Sequence, residues 1–493
     1  MPRNNANLHV LGETTLGAQT RDRCKLAMKF DRLAAFIRGD RKTFGEVNAA
    51  VSRVTTEPLS SVVSKTKTPK SDYLDEIEVI PEYLEVKEAL KRSVKLIFVT
   101  GGAGTGKSTF IKWLDSEFCG KTLLCAPTGI AAITIAGKTI HSLCRFPPSW
   151  IVETDIKIHP KSLASHAEIL IIDEISMVNA NVLDAIDKFF KINRRSEKPF
   201  GGIAVVMVGD LFQLPPIVTK TTRPLFDSTY ESPKFFSARA ITNSEFYSVE
   251  LKKAFRQVDQ NFVNLLQNIR EGNDISKTLE ILNSSCKLMV DPEPGTIALS
   301  PRHIDVDRIN SGRLAGLSGK TVTFTGATTG QFNEKQLPVP KHIELKVGAQ
   351  VVLAKNSKNY VNGDIGIVRQ IRRDRIEVML TRRQEIVEVP IATWEQFDYR
   401  FNSDSKDIER LVVGTFVQLP VILAWAMTIH KSQGLTLERV HIDMGAGSFE
   451  TGQTYVALSR CRSMATLSLA KPLKAEDVKV DPKSKAFYAE IRQ

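Results

Sequence analysis

The chain has 493 residues, room for about three domains at ~150 residues each, which excludes a single small binding module. With 42% hydrophobic and 25% charged residues it is globular and not disordered throughout. A net charge of +12, from 67 Lys and Arg against 55 Asp and Glu, favours a polyanionic partner such as nucleic acid, an ordinary basic surface being the alternative.

Residues 1–70 carry 13 Lys and Arg against 6 Asp and Glu, so a net +7 sits ahead of the first motif. Within them Phe30, Leu33, Phe36 and Ile37 have helical spacing. The Ser-, Thr-, Lys- and Pro-rich stretch Ser60 to Ser71 reads as a linker, with a boundary near residue 70. This basic extension is expected to be a disordered tail, an extra nucleic-acid grip or an arm for a protein partner. Cys24, Cys119, Cys125, Cys144, Cys286 and Cys461 form no CxxC pair, which argues against a zinc ribbon or a disulfide framework and for a reducing compartment. No apolar run approaches the ~18 residues that span a bilayer. The first twenty residues lack a secretory pattern, so a soluble, intracellular protein without a membrane partner is expected.

From about residue 95, short apolar runs alternate with helical stretches: LIFVT (96–100), LLCAPT (123–128), ILIID (169–173) and AVVMVGD (204–210). That alternation predicts an α/β fold with a parallel sheet. Beyond 345 the texture turns to β-branched runs with Asn-Gly and Arg-Asp turns, which predicts a small antiparallel sheet or barrel. Buried strands return at 419–430 and 438–444, so the β unit is expected to be inserted in a second α/β lobe.

GGAGTGKS, Gly101 to Ser108, follows a strand and precedes a helix, the context a phosphate-binding loop requires. Gly101, Gly104 and Gly106 let the backbone curl so that N–H groups face phosphate oxygens, while Lys107 reaches the outer phosphates and Ser108 can hold Mg²⁺. Asp173 and Glu174 close the ILIIDE strand. Asp173 is placed to hold Mg²⁺ and Glu174 to polarise the attacking water, which makes hydrolysis a better expectation than binding alone. Gln213 follows the next strand, where an amide can orient that water. Arg256 and Arg460, far along the chain, suit the charge that develops on a transferred phosphoryl group if a second lobe faces the first.

Together these segments resemble the petite-integration-frequency (PIF/RecD-like) family of superfamily 1B DNA helicases. The resemblance covers residues ~95 to 470. It runs in order through GGAGTGKS, APTGIAA (126–132), GKTIHS (137–142), IIDEISM (171–177), GDLFQLPPI (209–217), AFRQ (254–257), VNGDIGIV (361–368), AMTIHKSQGLTLERV (426–440) and YVALSRCRS (455–463). The stretch Asp184 to Phe200 is similar to the family's own signature. The resemblance implies an ATP site lined by Gly101, Gly104, Thr105, Gly106, Lys107, Ser108, Thr109, Asp173, Glu174, Gln213, Arg256, Gly434 and Arg460. It implies single-strand contacts at Thr128, Gly129, His141, Ser142, His430, Lys431 and Ser432.

It also implies two RecA-like parallel-sheet lobes with an SH3-like β-barrel inserted in the second. The expected divisions are a first lobe at 71–235 with a wedge near 146–161, a second lobe at 236–344 and 414–475, the barrel at 345–413, and a tail at 476–493. The implied activity is ATP- and Mg²⁺-dependent unwinding of DNA, moving 5′ to 3′ from single strands and single-strand/duplex junctions, by a monomeric active unit serving replication, repair, recombination or telomere maintenance. G-quadruplexes and RNA–DNA hybrids are within that repertoire. Ser71 to Lys95 contains no Gln of the kind the family uses to read adenine, which leaves strictness for ATP open. A nucleic-acid-stimulated ATPase switch that does not unwind, and a translocase on RNA, are the alternatives.

Overall fold

The computed structural model describes residues 77–159, 163–242, 246–257, 259–334, 337–402 and 408–492. The basic extension and its expected helix at Phe30 to Ile37 lie outside them. Six strands form the first sheet: β1 (Leu96–Gly101), β2 (Thr122–Ala126), β3 (Lys138–Thr139), β4 (Ile169–Ile172), β5 (Ala204–Val208) and β6 (Tyr247–Leu251). Their order is β3-β2-β4-β5-β1-β6 and every pairing is parallel. Runs such as LIFVTG are buried along their whole length because helices cover both faces.

The period-2 alternation of strand side chains divides the sheet between two cores. Ile97, Val99, Ile171 and Val206 face one core with α1 (Pro81–Lys91) and α2 (Lys107–Glu117). Phe98, Leu170, Ile172 and Met207 face the other, which runs on without a break into the second lobe through Phe262, Ile297, Leu299 and Val440. The two lobes, both within the compact unit Asp75–Gln493, therefore share apolar packing as well as a cleft.

The second lobe has a five-stranded parallel sheet ordered Ala426–Thr428, Ile297–Ser300, Val440–Ile442, Leu467–Leu469 and Lys287–Leu288. Between its strands the chain leaves to make three antiparallel sheets of five, three and two strands around a core containing Phe324, Leu345, Val351, Val378, Trp394 and Phe416.

The pairings run past the divisions expected from the sequence. β6, beyond residue 235, completes the first sheet against β1. The antiparallel unit begins with Val322–Thr325, well before 345, and ends with Val421–Leu423, which pairs with Gln350–Leu353 after 413. Residues 476–493 hold the helix Pro482–Glu490, whose Phe487 stacks on Phe236 at 4.5 Å. Ser248 in β6 donates to the Ile491 carbonyl at 2.7 Å, which fastens that helix to the first lobe.

The loop expected to act as a wedge is anchored at its base. Phe146 and Ile151 are buried, Ile151 exchanges hydrogen bonds of 2.9 Å with the Asn181 amide, and Trp150 meets Phe226 edge-on at 4.9 Å. Pro148, Ser149 and Ile158 remain exposed. Trp425 packs half-buried at the rim of the antiparallel unit's core, and Cys125 and Cys461 are buried as packing residues.

Candidate active site

β1 ends at the carboxyl edge of the first sheet, and the chain there turns through Gly104 and Gly106 at φ +84° and +85° into α2. Both angles lie in the left-handed region open to glycine. Space demands glycine as well: a Cβ on Gly104 would lie 2.5 Å from Cβ of Arg256, and one on Gly106 would lie 3.0 Å from the Tyr83 hydroxyl. The loop is braced by Thr105 Oγ1 donating to the Gly102 carbonyl at 2.9 Å and by the Phe255 amide donating to the Gly104 carbonyl at 2.9 Å. Lys107 Nζ donates to the carbonyls of Gly101 and Gly102 at 2.8 and 3.0 Å, while Ser108 and Thr109 are exposed at the start of α2.

Asp173 and Glu174 follow β4. Glu174 is itself left-handed, at φ 49° and ψ 45°, a strained placement for a residue with a Cβ. Its amide donates to Asp173 Oδ1 at 2.8 Å, which helps to hold that turn. Burial and the neighbouring Glu174 charge push the Asp173 carboxyl up to about 7. Burial also raises Glu174, against the pull of Lys107 and Arg460. The Lys107 ammonium is pulled below its ordinary range by burial, opposed by Asp210 and Glu174. Two adjacent carboxylates whose charge is opposed by burial suit a bound cation. No cluster of three or more His, Cys, Asp or Glu side chains able to hold a metal occurs among the described residues. Mg²⁺ takes one or two carboxylates and completes its shell with water and phosphate.

Gln213 sits one turn past β5, where its Nε2 donates to Asp210 Oδ2 at 3.3 Å. Arg256 lies in the connection from β6 to the second lobe and donates to the Ser459 carbonyl at 3.1 Å. Arg460 is fully buried, with donors on the carbonyls of Val456, Ser432 and Leu435 at 2.9, 3.3 and 3.2 Å. Burial, and for Arg256 the neighbouring Arg460, lowers these guanidiniums to about 9 and about 10 respectively. The loop, the carboxylates, Gln213 and both arginines thus converge on one cleft between the lobes. Gly434 is exposed at φ +82° with open space around it.

Four residues at this cleft carry no role in the sequence reading. Asp210, fully buried, pairs with Arg270 Nε at 3.0 Å. Burial works against its charge, yet Arg270 and Lys107 hold its carboxyl below the ordinary range. Tyr455 donates to Asp210 Oδ2 at 3.0 Å and accepts from the Ala103 amide at 2.8 Å, which links the phosphate loop to a second-lobe helix. Gln433 donates to both Glu174 and Gln213.

The expected strand-contacting residues lie at starts of short helices that follow strands, each capped by a threonine. Thr128 accepts from the Ala131 amide, Thr139 from Ser142 and Thr428 from Lys431. Gly129 and Ser142 line a cleft whose other wall is Phe332, Asn333, Gln396 and Phe397 of the antiparallel unit. Lys138 closes one side by pairing with Asp398 at 2.8 Å. Lys431 is exposed, and His141 and His430 are half-buried, with burial lowering both imidazoles. Ser432 stands apart, because its hydroxyl is fully buried and donates to the Ile429 carbonyl at 2.8 Å.

A family model of PIF1-like helicases matches residues 79–280, and one of helicases matches 399–491. The ATP-dependent DNA helicase Pif1 of Bdellovibrio bacteriovorus is 32% identical over 84% of this chain and 93% of its own length. The chain belongs to the PIF1-like helicases. Members of this family from Emericella nidulans and Homo sapiens, each named an ATP-dependent DNA helicase, are 31% and 34% identical; the chain spans 68% and 64% of their lengths. Bacteroides Pif1 in complex with ADP-AlF4 superposes on this PIF1-like helicase with a TM-score of 0.79 at 33% identity, over 85% of this chain and 98% of that one. The same protein bound to single-stranded DNA superposes at 0.61. Among the described residues, no helix is long and apolar enough to cross a membrane.

Proposed function

We propose that this PIF1-like helicase hydrolyses ATP in the cleft between its two parallel-sheet lobes and moves 5′ to 3′ along single-stranded DNA, separating duplex ahead of it. One observation carries the reading: the two lobes are joined across the cleft, with Tyr455 on the phosphate loop at Ala103, Gln433 on Glu174 and Gln213, Arg256 on the Ser459 carbonyl and the Arg460 charge acting on Glu174. An ATPase confined to one lobe has no use for that arrangement, whereas a motor that closes and opens a cleft needs it.

In the proposed cycle, Lys107 exchanges the carbonyls of Gly101 and Gly102 for the outer phosphate oxygens. Glu174 takes the proton of a water oriented by Gln213. The water oxygen bonds to the γ-phosphorus as the bond to the β-phosphate oxygen breaks. Arg256 and Arg460 spread over the charge that develops, which they can do only when the lobes draw together. Ser108 and Asp173 would hold Mg²⁺, which when bound supplies positive charge to the phosphate oxygens. Single-stranded DNA would lie across the threonine-capped helix starts of both lobes, where small residues and backbone amides suit a phosphate backbone without base readout. The exposed Pro148 and Ser149 at the tip of the expected wedge would part the duplex.

Steady-state hydrolysis with and without an oligodeoxythymidylate tests the assignment. Lys107→Ala is expected to reduce turnover more than about a hundredfold while strand binding persists. Turnover at the wild-type rate in that variant would refute it.

A further inference from the structure

Gln433 lies directly after the short helix Ile429–Ser432 of the second lobe, yet its side chain reaches the hydrolytic groups of the first. Its Nε2 is 3.1 Å from Glu174 Oε2 and 3.2 Å from Gln213 Oε1. Chemistry fixes the direction of each bond. The Asp210 carboxylate only accepts, so Gln213 must turn its Nε2 toward it, at 3.3 Å, and its oxygen toward Gln433. Gln433 then faces a carboxylate and an amide oxygen, and only an NH₂ group satisfies both. Both of its amide protons are committed.

We propose that Gln433 is a positioning residue that ties Glu174 and Gln213 to the strand-contacting turn of the second lobe, so that ATP hydrolysis waits for single-stranded nucleic acid. While the tie holds, the donor from Gln433 makes the Glu174 carboxylate a weaker base and fixes its orientation, and it holds the Gln213 oxygen in place as well. The same turn restrains a third participant, because the Ser432 carbonyl accepts from Arg460 Nη1 at 3.3 Å. One displacement of residues 428–433 therefore frees the base and removes one of the hydrogen bonds that hold the arginine, whose bonds to the carbonyls of Val456 and Leu435 remain. Lys431, exposed two residues before Gln433, is where a phosphate backbone would act on the turn. Gly434, exposed at φ +82° with nothing within 4 Å of a Cβ built on it, puts a glycine joint directly after Gln433, while Thr428, Ile429 and Ser432 anchor the other end of the turn in the core. The inference rests on the reading of Glu174 and Gln213 as hydrolytic groups.

The test is steady-state ATP hydrolysis by the full chain with Mg²⁺, with and without saturating oligodeoxythymidylate, for wild type, Gln433→Ala, Gln433→Met and Glu174→Gln. Methionine keeps the bulk of glutamine and lacks its donor, so it separates the hydrogen bonds from packing. Both Gln433 variants are expected to raise DNA-free turnover about tenfold and to leave the DNA-saturated rate within about twofold, so the stimulation ratio collapses. Oligonucleotide affinity by fluorescence anisotropy and KM for ATP should stay within about twofold of wild type. A preserved stimulation ratio, or a fall in the DNA-free rate, would overturn the tie. Wild-type turnover in Glu174→Gln would instead overturn the reading of the hydrolytic groups on which it rests.

Discussion

Replacing Arg270 by Met removes the charge of a buried ion pair while keeping most of the aliphatic stem. Arg270 Nε lies 3.0 Å from Asp210 Oδ1, with side-chain exposures of 1% and 0%. At that distance and an effective dielectric of about 20, the Coulomb attraction is about 5 kcal/mol. The guanidinium also sits 4.8 Å from the ring centroids of both Phe212 and Tyr488 and donates to the Tyr488 hydroxyl at 2.9 Å. Desolvation offsets much of this in the intact pair, but deleting one partner leaves Asp210 charged and buried, a loss of roughly 3–5 kcal/mol. Lys107, whose charge also reaches Asp210, places the expected cost near the lower end. The assay is urea denaturation followed by circular dichroism, with the same series on Asp210→Asn and on the double variant. The double variant should cost less than the sum of the singles by about 2 kcal/mol. A loss below about 1 kcal/mol in Arg270→Met, or strict additivity, would refute the reasoning.

Tyr455→Phe removes the donor to Asp210 and the acceptor of the Ala103 amide, so nucleotide affinity should weaken about tenfold in an equilibrium titration with a fluorescent ATP analogue, with a stability loss of about 1–3 kcal/mol. Asp173, pushed up to about 7, must lose its proton before it can hold a cation. Affinity for nucleotide with Mg²⁺ should therefore fall as pH drops from about 8 to about 6, with protons released on binding, in calorimetry across buffers of different ionisation enthalpy. Affinity independent of pH in that window would contradict the buried, cation-seeking pair.

The parts of the site that could be read from sequence are those built from neighbours along the chain. A strand, three glycines, Lys107 and a helix start define the phosphate loop within a few residues, and four apolar residues followed by Asp173 and Glu174 define the acidic strand end. The rest depends on pairs far apart in sequence. Gln433 meets Glu174 across 259 positions and Tyr455 meets Asp210 across 245. No local pattern marks them. Arg270 did leave a trace, since it falls on the buried stripe of Phe262, Leu266 and Ile269 in its helix, where an exposed arginine does not belong.

The edge of the first sheet is hard to read from sequence because YSVEL in β6 is only partly buried and resembles an ordinary polar stretch. The antiparallel unit extends at both ends beyond the β-branched runs that mark it in sequence. VTFT and ATTG expose most of their side chains, and VIL is followed by the apolar Ala424 and Trp425, so that in sequence it merges with the strand that returns to the second lobe.

Unwinding of two partial duplexes, one with a 5′ single-stranded tail and one with a 3′ tail, in ATP and Mg²⁺ against an ATP-free control, tests the central claim most directly. The account predicts strand separation of the 5′-tailed substrate only, and only with ATP. Separation of neither substrate despite DNA-stimulated hydrolysis, or of the 3′-tailed one alone, would contradict it.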